Sequence, residues 1–99
     1  MRVTTPPGEV LKEEFMEPLG LSANMLARQL DVPPNRITAI INGTRSVTSD
    51  TALRLAQAFG TTPEFWLNLQ MSHDLSAARA AAEETIRQTV RPFAERTAR

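Results

Sequence analysis

Apolar positions recur along this chain at intervals of three and four, in short blocks separated by proline, glycine and small polar residues. That spacing predicts helices throughout, and no stretch sustains the alternation of a strand. The first helix is expected from Pro7, where a missing N–H costs nothing, to about Glu17. Val10, Leu11 and Phe15 share one of its faces, Glu13, Glu14 and Glu17 point elsewhere, and Pro18 and Gly20 end it. Ser22 is the N-cap candidate for a second helix, Ala23–Leu30, with Leu26, Ala27 and Leu30 inward. Asp31-Val32-Pro33 breaks it, and Pro34 begins a third helix, Pro34–Asn42. There Ile37, Ile40 and Ile41 form the inner stripe, Asn35, Arg36, Thr38 and Ala39 lie opposite, and Asn42-Gly43 closes the helix.

A loop, Thr44–Thr48, leads to Ser49 as cap of a fourth helix, Asp50–Phe59, with Leu53, Ala56 and Phe59 facing one way and Gly60 ending it. Thr62-Pro63-Glu64 opens a fifth helix that carries Phe65, Trp66, Leu69 and Met71. After His73-Asp74 the chain turns Ala-rich, with a thin apolar line of Leu75, Ala82, Ile86, Val90 and Phe93, interrupted by Pro92. A protruding or partner-stabilised helix is expected there, followed by a frayed tail from about Arg96. The expectation is an all-α, five-helix domain at residues 1–82, with a C-terminal helical extension and tail at residues 83–99.

The composition narrows the chemistry. With 99 residues, 41 % hydrophobic and 22 % charged, the chain is sized for one domain with an ordinary core. There is no cysteine, so disulfides and thiolate metal sites are excluded, which fits a reducing cytoplasm. No apolar run is long enough for a membrane helix, and the N-terminus lacks the apolar stretch of a secretory signal. His73 is the only histidine and suits a surface or dipole-compensating role at a helix end, so neither a catalytic site nor a metal or cofactor is expected. Net charge is zero, but residues 22–60 are positive by two while residues 1–21 are negative by two. Ten of the eleven cations are arginine, the side chain suited to bidentate phosphate and guanine contacts.

That middle segment has the spacing of a helix-turn-helix, residues 22–43. Ala27 is small where two helices cross, Val32 fills the corner below the turn, and Ile37, ten residues after Ala27, anchors the second helix. A recognition helix enters the major groove with its N-terminal residues toward base edges. Asn35, Arg36, Thr38 and Ala39 are therefore the base-contact candidates, with Arg36 suited to guanine and Thr38 and Ala39 to a thymine methyl. Ser22, Asn24, Asn42, Gly43, Thr44, Arg45 and Ser46 flank that helix and are candidates for the DNA backbone. Phe65, Trp66 and Leu69 read as core, with part of their face available for a dimer seam. The acidic face Glu13, Glu14 and Glu17 is either plain solvated charge or a surface for a basic protein partner.

Three segments resemble one family. Pro6-Pro7-Gly8-Glu9-Val10-Leu11-Lys12-Glu13-Glu14-Phe15, Asp50-Thr51-Ala52-Leu53-Arg54-Leu55-Ala56 and Thr62-Pro63-Glu64-Phe65-Trp66-Leu67-Asn68-Leu69-Gln70 are similar to HigA-type antitoxins of the XRE class. The resemblance runs from about residue 4 to residue 75. It implies a Cro/repressor-like domain that binds operator DNA as a homodimer, represses its own operon and neutralises a HigB-type toxin, an mRNA endonuclease. Three positions depart from the usual pattern: Ala23 replaces a common glutamine, Asp31 the turn glycine, and Pro34 the first polar residue of the recognition helix. Ala23 and Pro34 remove two usual DNA contacts, which leaves Asn35, Arg36 and Thr38 carrying more of the readout. A plain helix-turn-helix regulator without a toxin and a helical protein-interaction adaptor are the alternatives.

Overall fold

A computed structural model describes residues 4–93; the expected tail from Arg96 lies outside them. Helices α1 (Pro7–Val10), α2 (Ala23–Leu30), α3 (Pro34–Ile41), α4 (Ser49–Phe59) and α5 (Pro63–Thr89) follow in order, with a π-helical continuation of α1 over Leu11–Met16. Among the described residues there is no strand. The all-α, five-helix architecture expected from the apolar spacing is the one observed.

Capping residues set most boundaries. The Ser22 hydroxyl accepts the Met25 N–H at 3.1 Å, and the Thr62 hydroxyl accepts the Phe65 N–H at 3.1 Å. Pro7, Pro34 and Pro63 sit at helix starts, where no N–H is needed. The fourth helix departs from expectation by one position. Thr48, not Ser49, is its cap, its hydroxyl accepting the Thr51 N–H at 3.4 Å.

The first helix has the expected extent but not the expected hydrogen bonding. The Glu17 N–H reaches the Lys12 carbonyl at 2.9 Å, five residues back. This wider turn puts Leu11 and Met16, five apart, on the same buried face. Pro18, which has no N–H to continue the ladder, follows at once.

The core gathers Leu11, Met16, Leu26, Ala27, Leu30, Ile37, Ile40, Val47, Ala52, Leu55 and Trp66. Gly8 permits the contact between α1 and α3, because a Cβ at that position would overlap the Ile40 carbonyl. The inward side of α4 is corrected by the structure. Thr51, Ala52, Leu55 and Ala56 are buried, Phe59 is half-buried, and Leu53 is 60 % exposed. Packing of α4 against both α2 and α5 selects the Thr51–Leu55 side over the Leu53 side. Trp66 is 0 % exposed and donates its indole N–H to the Thr61 hydroxyl at 2.7 Å. Its ring lies 4.9 Å from Phe15 and 5.0 Å from Phe65, centroid to centroid.

The fifth helix and the Ala-rich stretch, read from sequence as successive pieces, are one unbroken helix of 27 residues. It ends at Val90, in extended conformation, before Pro92. The boundary expected after residue 82 falls inside it. The segment before α1 is tied to it: the Thr4 N–H donates to the Ser76 hydroxyl at 3.0 Å, and His73 Nδ1 lies 2.9 Å from the Thr4 carbonyl oxygen. Among the described residues beyond Ser76 only Ala77, Ala82 and Glu83 are even partly buried, so the second half of α5 projects from the globule. Overall extents are 61 × 21 × 21 Å.

Candidate nucleic-acid interface

The pair α2–α3 is set by the turn between them. Asp31 is left-handed (φ 58°, ψ 49°), the only such non-glycine among the described residues. The Val32 N–H bonds the Ala27 carbonyl at 3.0 Å and the Asp31 N–H the Arg28 carbonyl at 3.2 Å, closing α2 by a Schellman arrangement. Ala27 is 1 % exposed at the crossing, Ile37 is fully enclosed, and Val32 packs against the core from the corner. The residues expected to lock the two helices are in those places.

With Ile37 and Ile40 buried, the opposite side of α3 is turned out. Asn35 and Thr38 are exposed, and Ala39 is half-buried. The Thr38 hydroxyl donates to the Pro34 carbonyl at 3.2 Å, which leaves its methyl and oxygen lone pairs on the surface. At the far end of α3 the Ala39 carbonyl accepts the Thr44 N–H (2.9 Å), the Arg45 N–H (3.2 Å) and the Thr44 hydroxyl (3.3 Å). Gly43, at φ 80°, makes that reversal possible. Asn42, Gly43, Thr44, Arg45 and Ser46 are all exposed beside α3. Ser22 and Asn24 are exposed at the start of α2, where first-turn N–H groups also point out. The Ser22 oxygen is already an acceptor for its own helix.

Arg36 sits differently from its neighbours. Its side chain is only 23 % exposed, Nη1 donates to Asp50 Oδ2 at 3.0 Å, and Nε is buried without a partner. The same Asp50 oxygen accepts Arg54 Nε at 2.9 Å, and Arg54 Nη1 donates to the Leu30 carbonyl at 2.8 Å and the Asp31 carbonyl at 3.4 Å. The Arg54 hydrogen bond, foremost, with the two guanidinium charges and the Arg36 hydrogen bond, holds the Asp50 carboxyl below its ordinary value against the opposing effect of desolvation. Arg45, by contrast, makes no side-chain hydrogen bond or ion pair within the described residues.

Three residues that matter here were not singled out from sequence. Asp50 and Arg54 enter the sequence reading only through the charge balance and a family string, because their partners are up to 24 positions away. Gln70 was part of a family string only. Its Oε1 accepts the Val47 N–H at 2.7 Å and so holds the loop after α3 against α5. Of the residues expected at a dimer seam, Trp66 is enclosed by its own chain, Leu69 is half-buried and Phe65 is 38 % exposed. Among the described residues no cluster of histidine and acidic side chains is placed to hold a metal. No helix among them is long and apolar enough to cross a membrane.

A pair of short helices locked at a left-handed turn, with a polar outer face on the second, defines a helix-turn-helix protein. A helix-turn-helix family model matches residues 12–66. The structure of an addiction module antidote protein of a HigA family from Coxiella burnetii is 53 % identical, with 93 % of this chain and 99 % of that one covered and a TM-score of 0.86. The structure of Pseudomonas aeruginosa antitoxin HigA with the higBA promoter is 35 % identical, covering 92 % of this chain and 98 % of that one at a TM-score of 0.87. Antitoxin HigA-1 of Vibrio cholerae serotype O1 is 44 % identical over 77 residues, 78 % of this chain and 72 % of that one. The chain belongs to the HigA family of helix-turn-helix antitoxins.

Proposed function

We propose that this protein is a cytoplasmic antitoxin that binds operator DNA as a homodimer, represses its own operon and neutralises a HigB-type mRNA endonuclease, with no catalytic activity of its own. The observation that carries the DNA half is the outward polar face of α3, flanked by the exposed Asn42–Ser46 loop and the start of α2. Asn35, Arg36, Thr38 and Ala39 would meet base edges, and Ser22, Asn24, Asn42, Thr44, Arg45 and Ser46 the phosphates. The binding of DNA by the Pseudomonas aeruginosa relative, similar over nearly the whole of both chains, supports the same reading. The toxin half rests on family membership, and the exposed acids Glu13, Glu14 and Glu17 offer a surface of the right sign for a basic partner. In this reading residues 1–82 carry the DNA-binding unit, and residues 83–99 form a C-terminal helical extension and tail.

The dimer seam we infer is not the Phe65–Leu69 face but the projecting part of α5. Met71 (61 % exposed), Leu75 (48 %) and Ile86 (53 %), with Ala78 and Ala82 between them, recur at helical spacing along one side. A projecting helix with an apolar stripe gains most of its stability by burying that stripe, and a second copy supplies a matching one. Two-fold pairing would set two α3 helices in successive major grooves, about 34 Å apart.

The test is a gel shift of a duplex taken from upstream of the protein's own gene, together with co-expression of the neighbouring reading frame. Specific retardation of that duplex, and co-purification of a small basic protein whose ribonuclease activity falls on binding, are the expected results. Absence of a shift at low salt, with and without the partner, refutes the DNA reading; a shift without any such partner reduces the protein to a plain regulator.

A further inference from the structure

Arg36 is held by a chain of charged contacts that begins at the turn of the helix-turn-helix. Arg54 is fixed to the backbone at the end of α2 through the Leu30 and Asp31 carbonyls. It grips Asp50 Oδ2, and the same oxygen takes Nη1 of Arg36. Nη1 has one hydrogen on Asp50, Nε is enclosed with no partner and the side chain is 23 % exposed, so the second Nη1 hydrogen and Nη2 are what the guanidinium has left to offer. One hydrogen from each of Nη1 and Nη2, lying parallel, is the pair a fork on guanine O6 and N7 needs. An acid close to a phosphate-binding surface works against non-specific attraction.

Resting on the reading of α3 as a recognition helix, we propose that Asp50 is a positioning residue for base readout: it holds Arg36, under anchorage by Arg54, with its outer edge toward the groove. A preset guanidinium surrenders little rotamer freedom on binding and meets a base in one orientation, so it discriminates where a free arginine would only attract. Asp50 lies fourteen positions from Arg36, on the next helix, and acts in this proposal through Arg36.

The test uses the full chain, the upstream duplex, a scrambled duplex of the same composition and the set of single-base-pair substitutions, read by fluorescence anisotropy. Asp50→Asn is close to isosteric but uncharged. It should lose preference by about tenfold at one base pair per half-site, the same pair that Arg36→Ala relaxes, while affinity for scrambled duplex holds or rises. In an Arg36→Ala background Asp50→Asn should change no preference further. Arg54→Gln, which keeps the Asp50 charge and removes its anchor, should relax the same base pair, and it serves if Asp50→Asn does not fold. Full discrimination at every base pair in Asp50→Asn, or a uniform change on specific and scrambled duplexes, overturns the proposal alone. A wild-type chain with no preference for the upstream duplex overturns the DNA reading as well.

Discussion

Arg36 and Arg45 are both arginines of the positive segment, and their surroundings give them different work. Arg36 is held at one end and largely covered. Arg36→Ala should cost about 1–3 kcal/mol on the specific site and relax choice at one base position, measured by titration of single-substitution duplexes. Equal weakening on random DNA would reduce Arg36 to a phosphate contact. Arg45 is exposed beside α3, and Arg45→Ala should weaken binding to all sequences alike, with the slope of log affinity against log salt falling by about one. Asp50 supplies a third prediction. Its folded carboxyl is held below the ordinary value, so it contributes stability above the unfolded pKa that is lost as pH falls through the folded one. An NMR titration should find the Asp50 carboxyl titrating below 3.8, moving back up in Arg54→Ala. An unmoved titration would detach Arg54 from Asp50 in solution.

At the scale of elements, the turn between α2 and α3 is the point of strain. Asp31 takes a left-handed backbone that glycine adopts freely, and it places an acid at the negative end of α2. Its carbonyl, not its side chain, meets Arg54. Asp31→Gly should therefore stabilise the fold by about 0.5–1 kcal/mol without loss of DNA binding, read by denaturant midpoint and gel shift. A loss of stability would show that the Asp31 side chain holds the turn. The first helix shows the opposite case, an element whose local sequence favours an ordinary helix but whose ending is wider. Burial of both Leu11 and Met16 next to Pro18 selects the π-helical turn.

The whole molecule is elongated because α5, about 40 Å long, outruns the globule it leaves. Three ion pairs at i,i+3 and i,i+4, Arg79–Glu83, Arg87–Glu83 and Arg87–Glu84, support the projecting turns from outside the apolar stripe. Each supplies only a few tenths of a kcal/mol, so the stripe is the larger stake. Leu75→Glu combined with Ile86→Glu should yield a monomer in analytical ultracentrifugation, with α2–α4 still folded and operator affinity sharply reduced. A double variant that stays dimeric would place the seam elsewhere, Phe65 being the next exposed aromatic on that helix.

The sequence alone determined the all-helical class, most of the helix ends and the residues that lock α2 to α3. Those features depend on neighbours within a turn or two: a hydroxyl three residues before an N–H, a proline at a helix start, apolar side chains at three and four. The outward placement of Asn35 and Thr38 was legible for the same reason, since the buried partners Ile37 and Ile40 are on the same short helix. Only the tertiary structure decided which side of α4 is buried, that Trp66 is spent inside its own chain, and that Arg36 belongs to Asp50 and Arg54. Each of those depends on which helices lie against each other, and the free energy that selects them comes from contacts between residues far apart along the chain.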